Sequence, residues 1–169
     1  MNEITLVDEN DVAIGEGEKM DVHRKGLLHS AFSVLVFNDA GELLIQRRAL
    51  DKYHAGGMWA NTCCSHPALG ETPGKAAHRR LPEEMGFDCP IEEKFVFKYR
   101  AEFDNELIEH EFDHVFFGKW NGTPELNPEE VGEYRWIAPD NLFIEMENEP
   151  GKFAPWFLIL CEEWRTRKI

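Results

Sequence analysis

The chain alternates between short apolar runs and polar breaks, and the period of each run predicts its element. Ile4 to Val7 and Val12 to Ile14 flank Asp8-Glu9-Asn10-Asp11, which predicts two short strands joined as a hairpin. Lys19 and His23 fall in a polar connection. Leu27 to Phe37 is apolar and β-branched, which predicts a buried strand with His29 near its start. Asn38-Asp39-Ala40-Gly41 supplies a turn, and Glu42 to Arg48 returns as a second strand. His54 to Gly57 reads as a loop and Met58 to Cys64 as extended chain. Residues 73 to 85 read as a helix, with Gly86 where a left-handed cap belongs. Pro82 falls inside that helix, where its missing N–H costs about 3 kcal/mol if the interior is unkinked. Phe95 to Phe103 and Leu107 to Trp120 are long strand-like runs around Asp104-Asn105-Glu106. Asn121 to Glu129 is a loop and Glu133 to Ile137 a short strand. Pro139 to Glu147 starts as a helix, and Phe153 to Arg167 is a final amphipathic helix with basic residues at its end. Without repeats, low-complexity segments or a linker, this order predicts an α+β sandwich in which residues 1–169 make a single domain.

Composition narrows the partners. With 169 residues, 43% of them hydrophobic, the chain can bury a sizeable core. Eighteen basic against 32 acidic residues give a net charge of −14, which disfavours nonspecific binding to nucleic acid or to an anionic membrane surface. An anionic substrate would need a local basic cluster set against that field. Cys63, Cys64, Cys89 and Cys161 form no CxxC pair, no secretory leader is read, and no apolar run approaches membrane-spanning length. The expectation is a reducing cytoplasm, where a free thiol can work, with no nucleic acid or membrane partner and a monomer or weak homodimer.

Several residues are of types that carry chemistry. His23, His29, His66, Glu109 and Glu111 are metal-ligand types, and in Glu109-His110-Glu111 the period of a strand sends both glutamates to one face. Two carboxylates forced together need a cation or a shared proton, and imidazole with carboxylate suits zinc, manganese or iron better than calcium. By spacing alone, a solvated acidic strand face with scattered surface histidines accounts for the same residues. Cys64 and His66 share a face if their segment is extended, with Cys63 turned away. Cys63, Cys89 and Cys161 read as small buried hydrophobes. Lys19, Arg48, Lys52 and Arg80 form a candidate phosphate cluster. Glu84, on the helical face of Arg80 as Glu83 is on that of Arg79, is a position for Mg²⁺; plain i,i+4 salt bridging on an exposed helix is the competing reading. Tyr99, Trp59 and Trp156 are aromatic candidates, while His54, His78, His110 and His114 receive no role.

The stretch from Cys63 to Phe87 resembles a Nudix box, Gly-x5-Glu-x7-Arg-Glu-(apolar)-x-Glu-Glu-x-Gly-(apolar), at Glu71, Arg79, Leu81, Glu83, Glu84, Gly86 and Phe87. Ser65 replaces the first glycine, and Arg80 replaces the carboxylate after Arg79, a reversed charge that argues against a routine diphosphate hydrolase. With Cys64-Ser65-His66 these departures resemble the type I isopentenyl-diphosphate isomerases. So do His23…His29, Arg47-Arg48-Ala49-Leu50, Asn61 to His66, Tyr99-Arg100-Ala101 and Pro155-Trp156, in that family's order. The resemblance implies a Nudix-like α/β/α sandwich with a mixed sheet, interconverting isopentenyl and dimethylallyl diphosphate through a carbocation. It implies Cys64, Glu111 and Tyr99 as catalytic residues, and one Mn²⁺ or Zn²⁺ on His23, His29, His66, Glu109 and Glu111. It also implies Mg²⁺ brought with the diphosphate to Glu84, and Lys19, Arg48, Lys52, Arg80 and Trp156 on the substrate; no flavin is implied. Which of Cys64 and Glu111 first gives the proton stays open. A Nudix-type diphosphate hydrolase and a non-catalytic metal-binding scaffold are the alternatives.

Overall fold

A computed structural model describes residues 2–52, 54–103 and 105–169. The predicted hairpin forms from Glu3–Val7 (β1) and Ala13–Glu18 (β2). Lys19 and His23, expected in a connection, instead lie on a short helix, Lys19–Lys25 (α1). Its single buried apolar residue, Val22, leaves too weak a periodic signal to read, and local capping sets its ends. The Glu18 carboxylate accepts from the Asp21 N–H at 2.8 Å, and Gly26 closes the helix at φ 67°. Spacing of four then puts Lys19 and His23 on one side of α1.

The long apolar run becomes His29–Phe37 (β3), buried at every residue but Phe37. Asn38 accepts the N–H groups of Ala40 and Glu42 to make the expected turn into Leu43–Arg48 (β4). The extended stretch breaks into Trp59–Ala60 (β5) and Cys63–Ser65 (β6). The break is where β3 and β4 splay apart, and side chains fill it. Thr62 Oγ1 donates to the Leu44 carbonyl at 2.6 Å and accepts the Val36 N–H at 2.9 Å, while Asn61 Nδ2 donates to the Cys63 carbonyl. Ile91–Glu102 (β7) starts four residues earlier than its apolar pattern suggests, with a bulge between Glu93 and Phe95. It pairs antiparallel with Ile108–Lys119 (β8), which runs parallel to β3 along its whole length. In the turn between β7 and β8, Asp104 lies outside the described residues. Val131–Ile137 (β9) pairs with β4.

The mixed sheet separates two apolar layers. Phe32, Val34, Leu44 and Cys63 face Pro73–Met85 (α2) through Ala76, Ala77, Leu81 and Met85. Leu35, Ile45, Phe97 and Val115 face Pro139–Asn148 (α3) and Pro155–Arg167 (α4), where Leu142, Phe157, Leu160 and Trp164 are buried. This is the expected α+β arrangement with helices on both faces. No helix among the described residues is long and apolar enough to cross a membrane.

The helix α2 ends as its sequence predicts. Gly86 sits at φ 77°, and a Cβ there would fall 2.4 Å from the Glu125 carbonyl oxygen. That close approach straps the following loop to the helix end, with the Glu125 and Asn127 N–H groups on the carbonyls of Met85 and Glu84. Pro82 and His78, the residue whose carbonyl its missing N–H would serve, both lie on the exposed stripe of α2, so water can take that carbonyl. Pro82→Ala is therefore expected to raise the unfolding free energy by about 1–2 kcal/mol, the helix-interior cost of proline less its restraint on the unfolded chain. A urea midpoint lower than that of the unsubstituted protein would overturn this account.

Candidate functional site

Strand register gathers residues from distant segments onto the α4-facing side of the sheet. His29 pairs with Glu111 across β3 and β8, Tyr99 pairs with Glu111 across β7 and β8, and Cys64 pairs with Ser33 across β6 and β3. Alternation puts Glu109 and Glu111 on one face, as predicted, joined there by Asp113, and turns His110 away to the Gly26 carbonyl. Cys63 points into the α2 layer, and Cys64 points into a cavity of about 560 Å³, counting its open mouth.

Around that cavity, imidazoles meet carboxylates. The ligand atoms of His23, His29 and His66 lie within 4.8 Å of one another. The His23 and His29 Nδ1 atoms sit 2.6 and 2.9 Å from the carbonyls of Lys19 and Leu27, so each donates its N–H there and turns Nε2 inward. The His29 Nε2 is 3.1 Å and the His66 Nε2 3.7 Å from Glu111 Oε2. His23 Nε2 and Glu109 Oε1 are buried with no hydrogen-bond partner. Inward-facing lone pairs and carboxylate oxygens, with backbone carbonyls fixing two ring tautomers, are a donor set that fits a divalent transition ion.

Burial and charge drive the two glutamates apart. Glu109 is pushed far above the usual carboxylate range, first by burial and then by Glu111. Burial also acts to raise Glu111, but the His29 and His66 imidazoles beside it outweigh that and hold its carboxyl low. The Tyr99 hydroxyl lies 2.5 Å from Glu111 Oε1 and 3.0 Å from Glu109 Oε2. Tyr99 is packed behind both carboxylates and does not itself line the cavity. Burial keeps its phenol, and the Cys64 thiol, protonated.

A group of cations lines the same cavity. Lys19, Arg48, Lys52 and Arg80 all line it, with Glu84. Glu84 is held on both oxygens, by Gln46 Nε2 at 3.1 Å and by Arg80 Nη2 at 2.9 Å. The Arg48 guanidinium lies 4.9 Å above the Trp156 ring, and the buried indole N–H of Trp156 has no partner. All the candidate site residues thus converge, with His29 and Tyr99 just behind the wall.

Other expectations change. Arg79 does not pair with Glu83; it makes a two-pronged contact to Glu71, whose carboxylate also accepts the Ala68 N–H. Glu83 takes Arg80 Nη1 instead, at 2.7 Å. Trp59 stays outside the cavity, under the Arg135 guanidinium. His54, given no role by its sequence, lines the cavity. It stacks on Phe103 at 5.4 Å, meets the Trp156 ring edge-on at 5.3 Å, and holds Nε2 4.0 Å from Glu109 Oε1. Gln46 and Glu130 are further residues of the site that no motif marked.

The NUDIX domain family matches residues 27–157. An isopentenyl-diphosphate Delta-isomerase 2 of Photorhabdus laumondii is 49% identical over 158 residues, 93% of this chain and 89% of that protein. An isopentenyl-diphosphate Delta-isomerase 1 of Aromatoleum aromaticum is 47% identical over 173 residues, 98% of each. Among solved structures, DR0079 of Deinococcus radiodurans superposes with a TM-score of 0.78 at 22% identity, over 97% of this chain and 98% of that one. A MutT protein of Methanosarcina mazei gives 0.68 at 18% identity, over 83% and 95%. At these identities the two structures report the fold alone.

Burial drives the His54 imidazole from its ordinary 6.5 down to about 2. The unfolded chain then takes up a proton at His54 below pH 6.5 that the folded chain refuses, so this group costs stability as pH falls. Glu109 and Asp113, both raised by burial first, act in the opposite sense, so the effect is read as a difference between proteins. Relative to the unsubstituted protein, His54→Gln is expected to gain up to about 1.4 kcal/mol per pH unit as pH drops from about 6.5 to about 5. Urea unfolding in chelator measures it, and a pH-independent difference would sink the assignment of a neutral buried imidazole.

Proposed function

Because the chain belongs to the NUDIX domain family, and within it to the isopentenyl-diphosphate Delta-isomerases, we propose that it interconverts isopentenyl and dimethylallyl diphosphate. The observation that carries this reading is the meeting of Cys64 and Glu111 in one cavity, from strands on opposite sides of β3. The alkene is unactivated, so one end must be protonated and a proton must leave the neighbouring carbon of the resulting tertiary cation. That takes two proton-handling groups around the same five-carbon chain. Cys64 and Glu111 fill those parts; since the reaction is reversible, the group that accepts a proton in one direction delivers it in the other.

Tyr99 touches no part of the cavity and acts as a positioning residue, its hydroxyl fixing one oxygen of Glu111. Trp156 presents its ring to the hydrocarbon end, where a π-face stabilises a cation and does not trap it as water would. Lys19, Arg48, Lys52 and Arg80 bind the diphosphate, and that remote binding orients the alkene. A divalent Mn²⁺ or Zn²⁺ held by His23, His29, His66, Glu109 and Glu111 would supply a fixed positive charge that orients Glu111 and sets its acidity. Mg²⁺ on Glu84 would neutralise part of the diphosphate charge. The chain is read as acting in the cytoplasm with its four cysteines free, on a small-molecule diphosphate, as one domain of 169 residues and as a monomer or weak homodimer.

Incubation with isopentenyl diphosphate and Mg²⁺ in D₂O, followed by NMR, tests the reading. Deuterium is expected to enter a dimethylallyl product. Cys64→Ala and Glu111→Gln should each slow that exchange about 100-fold or more while folding normally. Release of free phosphate or pyrophosphate would point to a hydrolase, and an untouched substrate to a scaffold.

A further inference from the structure

The cations of the cavity are met by a second carboxylate besides Glu84. Glu130 comes from the loop strapped to the end of α2, and its main chain is fixed on both sides. Its N–H donates to the Asn127 carbonyl, and its own carbonyl accepts the Ala49 N–H. The side chain turns into the site. Glu130 Oε2 accepts from Lys52 Nζ at 2.6 Å and lies 3.6 Å from Arg80 Nη2. The same guanidinium nitrogen is 2.9 Å from Glu84 Oε2, and Nη1 holds Glu83 at 2.7 Å, so Arg80 is faced by three acids. Glu130 also faces the wider depression that continues from the cavity mouth, along with Lys19, Lys52 and Arg80. In the ligand-free protein, Glu130 therefore occupies cations that a diphosphate would need.

Charge decides what such a site accepts. Lys19, Arg48, Lys52 and Arg80 against Glu84 and Glu130 leave this group near +2, before the Glu109 and Glu111 carboxylates that line the same cavity, against about three negative charges on a diphosphate ester. Lys52 holds Glu130 ionised despite its partial burial, so the carboxylate cannot escape the conflict by taking up a proton. Metal-free diphosphate must displace Glu130 from Lys52 or endure its repulsion in a half-buried site. A diphosphate carrying a hard divalent cation meets the opposite situation, since Mg²⁺ is bound through one or two carboxylates together with substrate phosphates. Resting on the reading that these cations take a diphosphate, we propose that Glu130 is a specificity-determining residue. It selects the magnesium complex of the substrate and rejects the uncomplexed anion.

Calorimetric titration of the full chain with inorganic pyrophosphate, with and without added Mg²⁺, reads this directly. The unsubstituted protein is expected to bind the magnesium complex well and the metal-free anion weakly. Glu130→Gln keeps a hydrogen-bond acceptor for Lys52 but removes the charge. It should bind metal-free pyrophosphate about 10-fold more tightly, so that the preference for the magnesium complex shrinks by at least that factor. Glu130→Asp keeps the charge and should keep the preference. The inference is overturned if Glu130→Gln changes both affinities alike, if both variants lose the preference, or if pyrophosphate binds in neither form. Isomerisation in D₂O is scored separately. A protein that isomerises without the predicted switch sinks the role of Glu130 alone, and one that shows the switch without isomerising sinks only the activity.

Discussion

Two carboxylates buried side by side, with one phenol between them, set the terms for the rest of the site. Glu109 and Glu111 are each about 5–6% exposed and sit on the same face of β8. Neither can be neutralised by the other, and at low dielectric two ionised neighbours are costly. The surroundings answer with three imidazoles from three separate segments, α1, β3 and the end of β6, all presenting nitrogen to the same point. Without a cation the cluster relies on unequal protonation and leaves His23 Nε2 and Glu109 Oε1 unmet. Such a set lowers the stability of the bare protein, and whatever cation binds it adds its binding free energy to folding.

Much of this was legible from residue order, because it follows short-range periodicity. A period of two on β8 put both glutamates on one face, and an extended Cys63-Cys64-Ser65-His66 separated the two thiols. Helix α2 matched its predicted bounds, residues 73 to 85, because a Thr72 cap and a Gly86 stop mark it locally. The failures share a cause. Helix α1 has one buried apolar residue, so its capping outweighs a pattern that period alone cannot reveal. Arg79 had a helical neighbour in Glu83, yet Glu71 offers both oxygens in the fork geometry a guanidinium prefers. Glu130 reaches Lys52 across 78 residues and is one acid among 32 acidic residues, so nothing local distinguishes it. His54 owes its place to Phe103 and Trp156, which only the folded sheet and α4 bring near.

The cavity is lined by cations and carboxylates together, and α2 contributes one of each, Arg80 and Glu84. Arg80 stands where the box pattern carries a carboxylate, and it places a cation among Glu83, Glu84 and Glu130 on that turn of the helix. Glu84 alone keeps the acidic function, and its orientation needs help from outside the helix, supplied by Gln46 on β4. The Gln46 amide also donates to the Thr62 carbonyl, so the filler of the β3–β4 split and the support of Glu84 are one hydrogen-bonded unit. A chain with net charge −14 thereby keeps a local group of cations, with Lys19 contributed by the same helical side as His23.

Within that lining, Arg48 and Trp156 meet. The guanidinium lies over the indole, so on the proposed reading the ring that would face the hydrocarbon chain is also the ring under a cation that would bind phosphate. A cation on one face draws on the same quadrupole that would stabilise a carbocation on the other. Binding of phosphate by Arg48 would lessen that draw, because the guanidinium charge would then be shared with an anion. The indole would thus be a better partner for a substrate-derived cation with the diphosphate in place than without it. By this coupling, on the proposed reading, the remote group would do more than orient the alkene: it would raise the capacity of Trp156 to stabilise positive charge only while the substrate that carries that charge is bound.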